Sequence, residues 1–308
     1  MDKVILNITN RCNFRCKTCI RKSRSSEDLS LGNLKKLLHQ AQKMGVNKVV
    51  LTGGEPILHP RFESILKTIQ KSQMSFGIVT NGWLHEKYAE HLKFRKEDVR
   101  FMAVSLDGHT SRINDSNRKK GSFDRALDAV NNFLSMGLPV RISHIVNKHN
   151  LGHLTKFMSL WRNKKVLVNI GKVIATGSNE DELLSKDQTV ILRTQLKTLK
   201  LAYRNKIMVT TSTGASSDLL FCPQFATLGS LTLRFDGKVV FCCDALRDSF
   251  DAVLGDIATE ELSQIVPRSG RVIGQVLSER ISSMINGKFQ QDNDCDFCID
   301  VLNKRSKH

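Results

Sequence analysis

The feature that most restricts the fold is an alternation repeated six times. Short β-branched runs stand at "VILNIT" (4–9), "KVVLTG" (48–53), "FGIVTN" (76–81), "FMAVSLD" (101–107), "VRISHIV" (140–146) and "VLVNIGKV" (166–173), and most end in polar or glycine-rich turns. Helical periodicity fills the intervals. Leu31, Leu34, Leu37, Leu38, Ala41 and Met44 share one face, which Gly45 ends. Phe62, Ile65, Leu66 and Ile69 make a second face. Phe123, Ala126, Leu127, Val130, Phe133 and Leu134 make a third, ended by Gly137, and residues 151–161 and 187–204 are also helical in pattern. Alternation of this kind predicts a parallel sheet covered by helices. Six units fall short of the eight of a closed barrel. The expected fold is therefore α/β, a partial (β/α)6 barrel over residues 1–205.

In such sheets the chemistry sits at the carboxyl ends of the strands. A cysteine-rich loop follows the first strand, "GGEP" the second, "TNG" the third, and "SLDG" closes the fourth. Past residue 205 the pattern changes to short strands, "KIMVTTST" and "SLTLRFDGKVVFCC", with "DG" as a hairpin turn. Residues 206–308 read as a small separate module.

The eight cysteines divide between these regions. Cys12, Cys16 and Cys19 lie on one loop, none lies between 20 and 221, and Cys222, Cys242, Cys243, Cys295 and Cys298 follow. The opening "MDKVILNITN" is no signal peptide, because Asn7, Thr9 and Asn10 break its apolar run, and no window reaches the roughly 18 apolar residues of a membrane helix. A cytoplasmic location is expected. There, clustered cysteines point to metal or redox chemistry rather than disulfides. Cys-x3-Cys-x2-Cys supplies three thiolates with no local histidine. Structural zinc takes four closed ligands. A [4Fe–4S] cluster on three thiolates keeps one iron for another ligand.

"CNFRCKTC" after the first strand and "LTGGEPILHP" after the second together resemble the radical S-adenosylmethionine enzymes. The resemblance covers residues 1–175. It implies that Cys12, Cys16 and Cys19 hold a [4Fe–4S] cluster whose open iron chelates S-adenosylmethionine, and that an electron then splits the cofactor to a 5′-deoxyadenosyl radical. It implies that Gly53, Gly54, Glu55 and Pro56 accept hydrogen bonds from the methionyl amine, glycine permitting close backbone approach. Ser105 and Asp107 would reach the ribose or methionyl group, Arg118 the methionyl carboxylate, and Asn81 the same pocket. One departure is Thr18, where the family often has an aromatic residue near the adenine.

The later cysteines resemble the twitch module, a shortened relative of the SPASM domain. Cys222, Cys242, Cys295 and Cys298 would hold an auxiliary [4Fe–4S] cluster, with Gly237-x4-Cys242 selecting Cys242 over Cys243. Four-cysteine zinc is the alternative, as is Asp244 in place of one thiolate. Cys243 is then an inert buried thiol or a hydrogen-atom donor, as in the peptide epimerases that this chain resembles.

Several functions stay open at this point. The first is radical modification of a ribosomally made peptide, such as epimerisation with Cys243 as donor. No leader-peptide-binding domain is read ahead of the first strand at residue 4. The second is dehydrogenation of a sugar or alcohol, with the auxiliary cluster accepting the electron. The others are radical RNA modification and, outside enzymes, a zinc-stabilised nucleic-acid-binding protein. The net charge of +17 favours anionic partners, whereas 6% aromatic content argues against a stacking platform for single strands. Expected partners are a peptide or small polar, anionic substrate and an external electron donor.

Overall fold

The computed structural model describes residues 1–21, 24–93, 95–175, 179–209, 229–242, 253–287, 295, 297–298 and 301. The chain divides into two compact units, one drawn from residues 1–11, 20–76 and 218–308, the other from 12–19 and 77–217.

In the first unit, β1 (Lys3–Asn7) runs parallel to β2 (Lys48–Thr52), with Val4 opposite Val49 and Leu6 opposite Leu51. The crossover is α1 (Leu31–Lys43), started by Ser30, whose hydroxyl accepts the Asn33 N–H at 3.1 Å. Leu34, Leu37, Leu38 and Ala41 form its buried stripe. After β2, α2 (Phe62–Lys71) buries Phe62, Ile65, Leu66 and Ile69. Most periodic positions read from the sequence are core positions; Leu31 is only half-buried and Met44, at the helix end, is exposed.

The hairpin assigned from sequence to the separate module has a different place. Its first strand, β8 (Ser230–Leu233), pairs in parallel with β1, Val4 opposite Leu231. It then turns into β9 (Lys238–Val240), which pairs antiparallel with β8 and with β10 (Val253–Asp256). The order in this unit is β10-β9-β8-β1-β2. The pairing covers an edge of β1 that would otherwise expose unpaired backbone groups. The turn follows the sequence: Gly237 has φ +87°, its N–H donates to Arg234 O at 3.1 Å, and an added Cβ would stand 2.8 Å from Asn33 Nδ2. The short α8 (Leu262–Ile265) and the longer α9 (Arg268–Ile285) follow, and neither had been read from the sequence.

The second unit carries β3 (Ser75–Thr80, from Gly77 onward), β4 (Val99–Ser105), β5 (Val140–Val146), β6 (Val166–Lys172) and β7 (Ile207–Val209), in that order. β4 to β7 pair in parallel, with Val104 opposite Ile142 and Ile142 opposite Val168. The connections are α3 (His85–Leu92), α4 (Ser111–Asn117), α5 (Ser122–Ser135), α6 (Leu154–Ser159) and α7 (Lys186–Tyr203). Ser185 and Gln188 form a reciprocal capping box that starts α7. The parallel α/β architecture expected of a partial barrel is present. The two helices missed here, α3 and α4, are short and polar, so their apolar periodicity is weak. Among the described residues, no helix is long and apolar enough to cross a membrane.

Candidate cofactor site

The carboxyl end of β1 is built from backbone contacts. Gly54 N–H donates to Thr9 O and Glu55 N–H to Arg11 O, each at 2.7 Å. An added Cβ on Gly54 would stand 1.9 Å from Arg11 O, and one on Gly53 2.8 Å from Thr9 O. The two glycines are therefore required by the chain's own segment 9–11, whatever else approaches them. Pro56 opens a single 3-10 turn, and Glu55 is 1% exposed. Asp28 braces the same segment: it accepts from Thr9 Oγ1 at 2.6 Å and pairs with Arg11 Nε at 3.0 Å. His59 closes it, accepting the Arg61 N–H at Nδ1, which leaves Nε2–H for Leu29 O at 3.1 Å. Burial, only partly opposed by that carbonyl, holds His59 below the usual imidazole range.

The cysteine loop belongs to the second unit and is built from side chains. Cys12, Cys16 and Cys19 are all half-buried. Cys19 N–H donates to Cys16 O at 3.2 Å, and Phe14 N–H points to Cys12 Sγ at 3.4 Å. Asn117, the last residue of α4, grips the loop. Its carbonyl accepts the Lys17 N–H at 3.0 Å and its Oδ1 the Thr18 N–H at 3.1 Å. Its Nδ2 donates to Thr18 Oγ1 at 3.0 Å and to Asp107 Oδ2 at 2.6 Å. Thr18, the departure from the family pattern, is thus paired at both its amide and its hydroxyl.

Asp107 is the hub. Its Oδ1 accepts the Ile145 N–H at 2.9 Å, and its own N–H and C=O are held by Asn114 and Asn150. Arg118 Nε lies 2.7 Å from Asp107 Oδ2, an ion pair by distance, although its N–H does not point along a hydrogen-bond line. Burial works against the Arg118 charge, but Asp107 and Cys16 more than offset it and hold the guanidinium above its ordinary range. Burial pushes the Cys16 thiol up to about 11; Arg118 pulls it down, whereas Asp107, Cys19 and Cys12 add to the rise. On the far side of the loop, Phe14 meets Trp83 edge-on at 5.6 Å, with Lys119 Nζ 4.1 Å from the Trp83 ring centre. Asn81 donates to Asn13 Oδ1 at 2.8 Å and accepts the Trp83 N–H. A cleft of about 140 Å³ opens beside the loop, walled by Lys17, Ile113, Ser116, Asn117, Asn147 and Glu182.

Within this unit the fold brings together Cys12, Cys16, Cys19, Asn81, Asp107 and Arg118. Ser105 lies at the end of β4, opposite Ser143. Asn117, Asn13 and Trp83 were not singled out from sequence. Asn117 directly precedes Arg118, the only signal for it. Cys242, Cys295 and Cys298 are half-buried, while Cys222, Cys243 and Asp244 lie outside the described residues.

The model for the radical SAM superfamily matches residues 6–160. The chain belongs to the radical SAM superfamily. It is 27% identical over 248 residues to mycofactocin maturase MftC of Mycobacterium tuberculosis (strain CDC 1551 / Oshkosh), covering 79% of this chain and 62% of that protein. It therefore spans less than two thirds of that relative. It is also 27% identical over 266 residues to GTP 3′,8-cyclase of Petrotoga mobilis, covering 82% of this chain and 80% of that protein. Among solved structures, Streptococcus suis SuiB bound to precursor peptide SuiA superposes with a TM-score of 0.73 at 16% identity, over 88% of this chain and 66% of that one. The anSMEcpe structure with bound AdoMet and Kp18Cys peptide gives 0.69 at 17%, over 87% and 82%. At those identities the structures show the fold.

Membership implies a [4Fe–4S] cluster and S-adenosylmethionine. Among the described residues, no three His, Cys, Asp or Glu side chains are drawn together closely enough to hold a metal ion. The fit rests on the donor set. Three soft thiols occupy eight consecutive residues, each within electrostatic reach of Cys16, and a buried guanidinium stands beside them to offset thiolate charge.

Proposed function

We propose that this radical SAM enzyme modifies a peptide. Its similarity to the mycofactocin maturases carries that reading. The cluster would be held by Cys12, Cys16 and Cys19. The S-adenosylmethionine would be held by Gly53, Gly54, Glu55, Pro56, Asn81, Ser105, Asp107 and Arg118. When bound, that pair supplies the one-electron reduction that yields a hydrogen-abstracting radical. The chain's own residues do the rest. Asn117 and Thr18 hold the cysteine loop in register. Asp107 keeps Arg118 charged and positioned, so that its guanidinium would be available to hold the cofactor's carboxylate. Backbone crowding at Gly53 and Gly54 fixes the turn after β2. A second, auxiliary [4Fe–4S] cluster on Cys222, Cys242, Cys295 and Cys298, with Cys243 as hydrogen-atom donor in an epimerisation, completes the proposal. A small anionic substrate is the second reading, supported by the GTP 3′,8-cyclase relatives and the net charge of +17.

The test is iron and sulfide content after anaerobic reconstitution, wild type beside the Cys12/Cys16/Cys19→Ala variant, with 5′-deoxyadenosine assayed after reduction. About eight irons falling to about four, with cleavage lost, supports two clusters. Zinc in place of iron would overturn the reading. Deuterium incorporation from solvent into a peptide, lost in Cys243→Ala with both clusters intact, separates epimerisation from dehydrogenation.

A further inference from the structure

The sheet of the second unit has two unlike faces. Along β5, Val140, Ile142, His144 and Val146 are buried, and His144 stacks on Phe157 of α6 at 3.9 Å, so this face meets the helices. Arg141, Ser143 and Ile145 alternate onto the other face and are half-buried. Ala103 and Leu167 flank Arg141 in register, and Ser105 and Asn169 flank Ser143.

Arg141 is held in place on this open face. Its guanidinium carbon lies 3.9 Å from the centre of the Phe101 ring. That ring lies against Gly77 of β3, where an added Cβ would stand 2.3 Å from it. A guanidinium resting on an aromatic ring keeps N–H donors for a planar acceptor. Among the described residues Arg141 has no salt bridge. Burial and then Arg100 hold its guanidinium below the ordinary range, and no carboxylate opposes them. Arg118 is the opposite case, held above that range with Asp107 beside it. A half-buried cation without an anion is half of an ion pair, and a ligand that brings the anion completes it. Ser143 and Asn169 also have no side-chain hydrogen bond among the described residues.

We propose that Arg141 is the seat of a carboxylate on the substrate peptide, from an acidic side chain or from the peptide's own C-terminus. The inference rests on the peptide-modifying reading and names what such a peptide must carry. Charge decides the ligand. One guanidinium with neutral Ser143 and Asn169 beside it matches a single negative charge, whereas a phosphate dianion or a triphosphate would keep charge unmatched. Position agrees with this. Ser105, assigned to the cofactor, stands two residues, about 7 Å, further toward the carboxyl ends of the strands.

The test is calorimetric titration of the reconstituted holoenzyme with S-adenosylmethionine bound. The probes are acetyl-Gly-Glu-Gly amide, its Gln counterpart, the Gln peptide with a free C-terminus, and GTP. Wild type is compared with Arg141→Gln and Arg141→Lys. Wild type should bind an acidic peptide about tenfold or more tighter than the neutral one, as a charge-assisted hydrogen bond predicts. Arg141→Gln should erase that preference, and Arg141→Lys should keep part of it, which a merely structural arginine would not do. The acid that is preferred names the source of the carboxylate. Equal binding of acid and amide by the wild type would overturn the inference, and so would a preference that survives in Arg141→Gln. Dependence of GTP binding alone on Arg141 would assign the site to a phosphate and overturn it too. The titration needs no turnover, so a wild type that fails to cleave S-adenosylmethionine after reduction would sink the radical reading by a separate result.

Discussion

The glycine turn after β2 and the cysteine loop after β1 are both strand-end features, yet backbone contacts dominate in one and side-chain contacts in the other. The turn is fixed by backbone: two 2.7 Å amide–carbonyl bonds and glycines with no room for a Cβ. The loop is fixed by side chains: Asn117, Asp107, Arg118 and Thr18 in one hydrogen-bonded, ion-paired group. A turn built from backbone tolerates side-chain change around it but no added carbon. A loop built from a polar network fails wherever one partner is removed, because the others are left buried and unpaired.

The strongest way to break the comparison is chemical. Cys16→Ala should abolish S-adenosylmethionine cleavage and remove about four irons, leaving the glycine turn folded; iron analysis and circular dichroism report the two separately. Asp107→Ala comes next. It strands Arg118 in a buried site, and breaking such a pair typically costs about 3–5 kcal/mol, readable by urea unfolding. Replacing both partners together, Asp107→Leu with Arg118→Met, should recover part of that loss, which a mere cavity would not.

Gly54→Ala probes the other construction. The new Cβ falls on the Arg11 carbonyl, so about 1–3 kcal/mol of overpacking is expected, as a lowered Tm. Asn117→Ala should cost about 1–3 kcal/mol through unpaired groups at Thr18 and Asp107. Faster amide exchange confined to Lys17 and Thr18 would sharpen the assignment.

The smallest effect is titration of His59. Its folded value lies below the ordinary 6.5, so the neutral ring is the folded form. The unfolded state then binds more protons as pH falls through 6.5, and stability drops on the acid side. His59→Gln should flatten that part of the stability–pH curve.

Much of this was legible beforehand. The six strands and the apolar faces of α1, α2 and α5 follow from period-2 and helical spacing, because burial on one face imposes that spacing whatever the partner. The cysteine loop and "GGEP" were legible because their chemistry is local: three thiols need only a short loop, and a glycine turn only its own residues. Asn117 was not legible. Its role depends on α4 ending against a loop about a hundred residues earlier in the chain, and nothing in "SNRKK" distinguishes a clamp from a solvated turn. The pairing of β8 with β1 was equally hidden, since any exposed strand edge can accept a hairpin and no pattern says which one does.

The sequence by itself therefore determined the parallel α/β order and the donor set, through periodicity and spacing that a single segment carries. Only the tertiary structure decided which polar groups meet. It turned Asp107 inward onto Arg118 and Asn117 and left Arg141 on the Phe101 ring with no carboxylate partner among the described residues. A residue's charge is written in the chain, but whether that charge is neutralised depends on what the fold places beside it.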